Sequence, residues 1–497
     1  MQTLNEQTAG IFQKGARISR RTGESELRHA ARQAAWKSQE GIVTDREGDM
    51  RQEIRITVPQ KGQYIIKTLQ DAGFQAYAVG GCVRDSVLGR TPQDWDITTS
   101  ARPEQVKALF QRTIDTGLQH GTVTVMLQGE GFEVTTYRID GKYEDSRHPA
   151  QVTFTPDLRE DLRRRDLTIN AMAYNDAEGL VDLFGGLEDL EAGIVRCVGE
   201  ARERFREDAL RILRAIRFSA QLGFSIEEET LAAVEELAPT LRRISAERIQ
   251  AELVKLMVSP HPDYLRTAYD KGVTKVILPE FDKAMETPQN HPHHCCSVGE
   301  HILHSLCLVE AEHTLRLAML LHDIGKPNVL TVDEDGRTHF HGHAAVSAAM
   351  AEQILRRLKF DNDTVRRVCR LVQYHDYGNG QEIDIRLARR AMNRIGEEAF
   401  PGLFAVKRAD ILAQSSYLRQ EKLDRLEAWQ GCYRQILDSH QCVSLKTLAV
   451  NGSDLIAMGW KPGRELGEAL SMLLEQVLED PARNDREWLL AKAREGI

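Results

Sequence analysis

The sequence predicts an α+β protein in which a small head of mixed strands and helices precedes a long, almost wholly helical remainder. Three observations carry that expectation. β-Branched runs such as AYAV, GTVTVMLQ and FEVTTYRID fall between residues 76 and 140, interleaved with short helical patterns. From Glu200 onward apolar residues recur at helical spacing, as in EDALRILRAIRFSAQL and AERIQAELVKLM. At 497 residues the chain is too long for one hydrophobic core and long enough for about three domains of ~150 residues.

In chain order, residues 1–52 are polar and aperiodic and are expected to be a disordered extension, dispensable or a start-site artefact; a regulatory tail is the competing reading. The head is expected over 53–195. It holds an amphipathic helix at 64–69, a buried strand at 76–79 closed by Gly80 and Gly81, and the short helix VRDSVLG. A strand carrying DWDITTS, the helix PEQVKALF and two further strands follow. A helical neck is expected over 196–285. The stretch ETPQNHPHHCC opens a helical module over 286–415, and a helical tail takes 416–497.

Composition narrows the function classes. With 65 Lys and Arg against 74 Asp and Glu the net charge is -9, so nucleic-acid binding must rest on a local basic surface. No run approaches the roughly 20 apolar residues of a membrane span. The eight cysteines include no C-x-x-C pair, and the N-terminus has no apolar signal region. A reduced, cytoplasmic protein is expected.

The chemistry-bearing residues begin with DWDI. Asp94 and Asp96 stand two apart, which in a strand puts both carboxylates on one face, where hard oxygen ligands suit Mg²⁺. A solvated strand end is the plainer reading of D-x-D alone. Upstream, VGGCVRD brings Gly80 and Gly81 before a helix start, where backbone N–H groups approach an anion, and Arg84 adds a fork for phosphate oxygens. Glu133, in the FEVTTYR strand, either completes the metal site or faces solvent. These residues resemble the signature of the polymerase-beta-type nucleotidyltransferases, in the class II branch that holds CCA-adding enzymes and poly(A) polymerases. The likeness extends over most of residues 53–480.

The resemblance implies further roles. RRDLTINAMAYN is similar to the family's second motif, which assigns Arg165 and Asp166 to the nucleotide's sugar and phosphates, with Asn170 in support; helix capping explains the same residues. ERFREDALRILRAIRFSAQLGF reads as one helix over 203–224 on which Asp208, Arg211, Arg214 and Arg217 recur every three residues. Seven arginines against four acids between Arg196 and Arg217 favour an anionic ligand. By resemblance Asp208 and Arg211 match the EDxxR motif that selects C or A by hydrogen bonds to the base edge, and Arg214 and Arg217 hold phosphate. An exposed helix laced with ion pairs is the alternative. In ISAERIQAELVKLM, bracing through Ile249, Leu253 and Leu256 is favoured over a phosphate role for Arg248.

Beyond residue 290, His301, His322, Asp323, His343, His375 and Asp410 fall in an order that resembles the HD superfamily of metal-dependent phosphohydrolases. That likeness implies a metal centre, with Mn, Ni or Fe as its transition metal, and phosphatase or cyclic phosphodiesterase activity in some relatives. His291, His293, His294, Cys295 and Cys296 are too crowded for the usual zinc spacing and are read as a loop. In the tail, Gly459 and Gly463 flank Lys461 before an amphipathic helix, a segment similar to that used by many family members to hold tRNA; routine helix caps are the alternative.

The expected activity is therefore addition of the 3′-terminal CCA to tRNA from CTP and ATP with Mg²⁺, tRNA being the partner. Residues 143–154 stand where the family has a loop that switches from C to A. Alternatives are a poly(A) polymerase, a partial CC- or A-adding enzyme, a protein whose main activity is HD phosphohydrolysis, and a non-catalytic tRNA-binding factor. The sequence leaves the oligomeric state open.

Overall fold

The computed structural model describes residues 54–141, 152–294 and 296–495. The extension expected over 1–52, Cys295 and most of the switching loop expected at 143–154 lie outside them. The chain divides into two compact units, Met1–Ile244 and Ser245–Ile497.

The first unit is built on a seven-stranded mixed sheet. Its strands are β1 (Ala76–Val79), β2 (Ile97–Thr99), β3 (Thr113–Gly117), β4 (Thr122–Leu127), β5 (Glu130–Thr136), β6 (Met172–Asn175) and β7 (Gly179–Asp182), in the order β3-β4-β5-β2-β1-β6-β7. Central β1 is buried along its whole length, as its AYAV sequence demands, and pairs antiparallel with both β2 and β6. β2 and β5 run parallel, with Ile97 opposite Val134. Helix α1 (Gln60–Asp71) buries Ile65, Ile66 and Leu69, as its spacing predicts. Helix α2 (Gly81–Val87) follows β1 directly, and α3 (Pro103–Leu109) follows β2. Helix α4 (Leu158–Arg163) supplies Leu158 and Leu162 to a core with Tyr77, Val79, Tyr137 and Ala173.

Two expectations about local structure are corrected. Asp94 and Asp96 precede β2 instead of lying inside it, although Asp96 still continues the ladder: its carbonyl accepts from the Val79 N–H at 3.0 Å. The single helix expected over 203–224 is two helices, α5 (Ala201–Glu207) and α6 (Leu210–Leu222). Asp208 breaks the run with extended dihedrals, φ -141° and ψ 104°. Its carboxylate accepts the Leu210 N–H at 3.0 Å, the local bond by which aspartate competes with helix continuation.

The second unit is helical apart from one two-stranded ribbon among the described residues. Helix α7 (Ala246–Met257) buries Ile249, Leu253 and Leu256. Helices α8 (Val298–Leu306), α9 (His313–Leu321), α10 (His343–Arg357), α11 (Asn362–Tyr374) and α12 (Phe400–Ala413) pack around a common interior. Next come α13 (Arg419–Asp438) and α14 (Arg464–Glu479). No helix among the described residues is long and apolar enough to cross a membrane.

Candidate functional site

In the first unit three carboxylates converge at the start of β2. The parallel β2/β5 register sets Glu133 level with Asp96 across the ladder. Burial raises the Asp96 pKa, the Arg165 guanidinium pulls it down, and the Asp94 carboxylate adds to the rise. Glu133 is raised by burial and then by the charges of Asp96 and Asp94. Two buried or half-buried acids with raised pKa values, gathered beside a third carboxylate, form a site that a hard cation would relieve.

Beside the acids the backbone is shaped for a guanidinium. Gly80 holds φ 83° and ψ -127°, and a Cβ there would lie 2.9 Å from Arg165 Nη1. The Gly80 N–H is committed to the Met172 carbonyl at 3.1 Å, so Gly80 serves as a close approach and not as an anion donor. Gly81 opens α2, whose first N–H groups have no partner within the helix. Arg165 is held from behind by Asp161, at 3.7 Å. Asp161 is fully buried, accepts from Thr98 Oγ1 at 3.0 Å, and is kept ionised against its burial by Arg164 and Arg165.

A polar chain then links three sequence segments. Arg84 Nη1 donates to Asn170 Oδ1 at 2.6 Å, and Asn170 Nδ2 donates to Asp166 Oδ1 at 3.3 Å. Arg214 Nε in turn donates to Asp166 Oδ2 at 2.6 Å. Asp166 is buried, yet Arg214 and Arg211 hold its pKa at about 2. Behind these groups, Phe218 packs its ring under three guanidinium carbons, at 4.8 Å from Arg84, 5.5 Å from Arg214 and 3.8 Å from Arg217. Arg217 Nη1 also donates to Gln221 at 2.7 Å. Arg211 is buried, with Nη1 on Glu207 at 2.6 Å and Nη2 on the Arg164 carbonyl at 3.0 Å. The RRD segment thus leads into a short 3₁₀ turn and then β6, not into the helix that its capping chemistry suggests. Sequence reasoning missed Asp161 and Phe218; the phenylalanine in an arginine-striped helix was the available signal.

The second unit gathers His301, His322, Asp323, His343, His375 and Asp410 from α8, the ends of α9 and α11, the start of α10, and α12. His301 Nε2 lies 2.9 Å from Asp410 Oδ1 and 3.2 Å from His322 Nε2. His343 Nε2 and His375 Nε2 are also 3.2 Å apart. Asp323 stands between the two groups, Oδ2 at 3.3 Å from His322 and Oδ1 at 3.3 Å from His343. The Nδ1 atoms of His322, His343 and His375 sit on backbone carbonyls of Met319, Phe340 and Val372 at 2.8, 2.9 and 2.7 Å. Those bonds fix the tautomer with Nδ1–H donating and turn each Nε2 lone pair inward. Burial drives His375 down to about 4 and lowers His301, keeping both neutral. Buried Asp323 Oδ1 has no hydrogen-bond partner. Convergent lone pairs and an orphaned carboxylate oxygen make a donor set fit to hold a metal ion. The described residues of the stretch read as a loop, 291–294 and 296, lie in no helix or strand, and the His294 ring meets His301 edge-on at 5.5 Å. Lys461, Gly459 and Gly463 lie in an exposed turn; Gly463 precedes the first residue of α14.

Sequence profiles match three segments: the Poly A polymerase head domain over residues 76–196, the "Probable RNA and SrmB- binding site of polymerase A" over 223–285, and tRNA nucleotidyltransferase domain 2 over 332–493. A curated relative, the CCA-adding enzyme of Lactiplantibacillus plantarum, is 36% identical over 88% of this chain and 96% of its own length. That of Leuconostoc mesenteroides is 55% identical over 39% of this chain and 49% of its own. Among solved structures, the Bacillus stearothermophilus CCA-adding enzyme in complex with CTP aligns with TM-score 0.67 at 31% identity, covering 88% of this chain and 98% of that one. The Thermotoga maritima CCA-adding enzyme complexed with tRNA shares the fold, with TM-score 0.52 at 21% identity over 88% of this chain and 96% of its own.

Proposed function

This chain belongs to the CCA-adding enzyme family, and from that premise we propose that it completes tRNA 3′ ends with CCA, drawing on CTP and ATP and reading them with its own side chains. The observation that carries the reading is the meeting of Asp94, Asp96 and Glu133 beside Arg165. Mg²⁺ held by Asp94 and Asp96 would neutralise charge on the triphosphate and the attacking oxygen. Arg84, Arg165, Arg214 and Arg217 hold the triphosphate, and the Arg84–Asn170–Asp166 chain fixes their relative positions. Asp166 and Asn170 face the sugar, and Gly80 and Gly81 let the backbone approach. The tRNA 3′-oxygen bonds to the α-phosphorus, the α–β anhydride bond breaks, and pyrophosphate leaves. The hydroxyl proton passes to Glu133, whose raised pKa suits a base, or to water.

Base choice falls to Asp208 and Arg211. An aspartate accepts from an exocyclic amine and an arginine donates to ring acceptors, so the pair can distinguish C and A from the other bases. The break between α5 and α6 places Asp208 in extended backbone, where a small rotation re-aims its carboxylate. Lys461, Gly459 and Gly463 give the tail a contact for the tRNA backbone.

The test is to incubate tRNA ending before CC with CTP and ATP and to sequence the 3′ end. CCA termini are expected. An A-tract, CC alone, A alone, or unextended tRNA would each replace the reading with a named alternative. A second activity has its own support in the six convergent ligands of the second unit: phosphohydrolysis at an HD-type centre binding Mn²⁺, Ni²⁺ or Fe²⁺.

A further inference from the structure

Beside the ligands Asp410 and His375 lies a cavity of about 460 Å³, whose walls include Lys407, Lys422, Arg425 and Trp429. Lys407 sits one turn before Asp410 on α12 and is only 8% exposed. Its ammonium makes one weak hydrogen bond, to Asn379 Oδ1 at 3.4 Å, and no carboxylate among the described residues forms an ion pair with it. Asp376 and Asp410 favour its charge only from beyond ion-pair contact, and burying an ammonium that no carboxylate meets directly is costly unless something anionic comes to it. Burial lowers its pKa to about 8, which leaves it mainly protonated at pH 7.

The other two cations of the cavity are half-buried, and among the described residues they too form no ion pair with a carboxylate. Lys422 Nζ is bound by neutral groups, His293 Nδ1 at 2.9 Å and Gln414 Oε1 at 2.6 Å. Arg425 donates to the carbonyls of Gly378 and Gln381. Gln414 also donates to both Asp410 oxygens, at 3.0 and 3.1 Å, tying the cation wall to the metal-ligating carboxylate. One acid, Glu421, lines the cavity besides Asp410, so positive charge is in excess.

The geometry points to an anion subsite in which Lys407, assisted by Lys422 and Arg425, binds the phosphoryl group of a phosphate ester next to the metal centre. This rests on the HD reading of the second unit and adds to it the residues that take hold of the substrate. A phosphoryl group brings two or more negative charges and at least three acceptor oxygens, which matches three unpaired cations better than a carboxylate would. A fixed ammonium that is already desolvated loses little on binding and strengthens as the ligand excludes water.

The probe is inorganic phosphate, titrated calorimetrically into the full chain before and after loading with Mn²⁺ and removal of excess metal. Wild-type protein is expected to show a phosphate-binding event that Lys407→Met weakens at least tenfold, with Lys422→Met and Arg425→Met each weakening it less. Lys407→Met should melt no lower than wild type in phosphate-free buffer, because it removes an unpaired buried charge. Equal phosphate binding by wild type and Lys407→Met overturns the proposal, as does a marked fall in melting temperature with unchanged binding. Should Lys407→Met fold poorly, the Lys422→Met and Arg425→Met pair decides: unaltered phosphate binding in both overturns it. Metal titration separates this from the HD reading. Phosphate binding dependent on Lys407 without Mn²⁺ binding sinks the metal centre and keeps the subsite; Mn²⁺ binding with Lys407-independent phosphate binding does the reverse. Displacement of the Lys407-dependent phosphate by a nucleoside monophosphate, or by a short RNA with a 3′-phosphate, supports the subsite and identifies which molecule carries the group.

Discussion

Replacing Gly80 by alanine tests the link between backbone shape and the acid cluster. At φ 83° and ψ -127° a side chain is strained, which costs about 1–3 kcal/mol. The new Cβ would also stand 2.9 Å from Arg165 Nη1, and overpacking against this half-buried, held group adds roughly 1–3 kcal/mol. For a unit of this size each kcal/mol lowers the melting temperature by about 2–4 °C, so a fall on the order of 4–24 °C is expected. The functional effect has a definite sign. Arg165 pulls the Asp96 pKa down, so a displaced Arg165 lets it rise further. Nucleotide addition that needs ionised Asp96 then fails at higher pH as the solution is acidified, and the acid limb of the rate profile moves up. Differential scanning fluorimetry and a pH series of CTP incorporation measure both. Wild-type melting together with an unmoved acid limb would refute the idea that the missing Cβ seats Arg165.

Four further outcomes are expected. Asp96→Ala should abolish nucleotide incorporation while leaving tRNA affinity near normal in a gel shift; near-normal addition would remove the metal assignment. Glu133→Gln, which keeps shape but cannot accept a proton, should slow incorporation by roughly 10²-fold if the carboxylate is the base, and far less if it only faces solvent. Asp166→Asn should destabilise the first unit at pH 7 by about 2 kcal/mol, the worth of a carboxyl held near 2 instead of near 4. The folded pKa is depressed, so that contribution is present above pH 4 and is lost as pH falls toward 2; urea unfolding of the two proteins should therefore converge on acidification. Asp323→Asn should weaken Mn²⁺ binding at least about a hundredfold by calorimetry, because one carboxylate faces both histidine groups.

The fold was legible where patterning and packing agree. β1 reads as a buried strand because AYAV has no polar residue to solvate, and α1 reads as a helix because Ile65, Ile66 and Leu69 fall on one face. The six ordered His and Asp residues were legible because each stands at a helix end or in a helix, and a helical bundle brings such positions together. The tail glycines and Lys461 carried less information, since an exposed turn looks the same with or without a ligand.

What stayed hidden depends on competition between local and distant bonds. Periodicity made residues 203–224 one helix, because it counts apolar residues and is blind to a carboxylate that takes a backbone N–H for itself, as Asp208 does with Leu210. Phe218 is buried, but its neighbours are three guanidinium groups from two segments 130 residues apart, a juxtaposition that no spacing rule encodes. Lys407 is the clearest case. In sequence it is one lysine on a helix, normally a solvated residue; only packing reveals that α12 turns it inward without a carboxylate to meet it. Charge placement of that kind is a property of the assembled interior. A side chain that breaks the rules of burial while its helix obeys them is where a ligand is most reasonably sought.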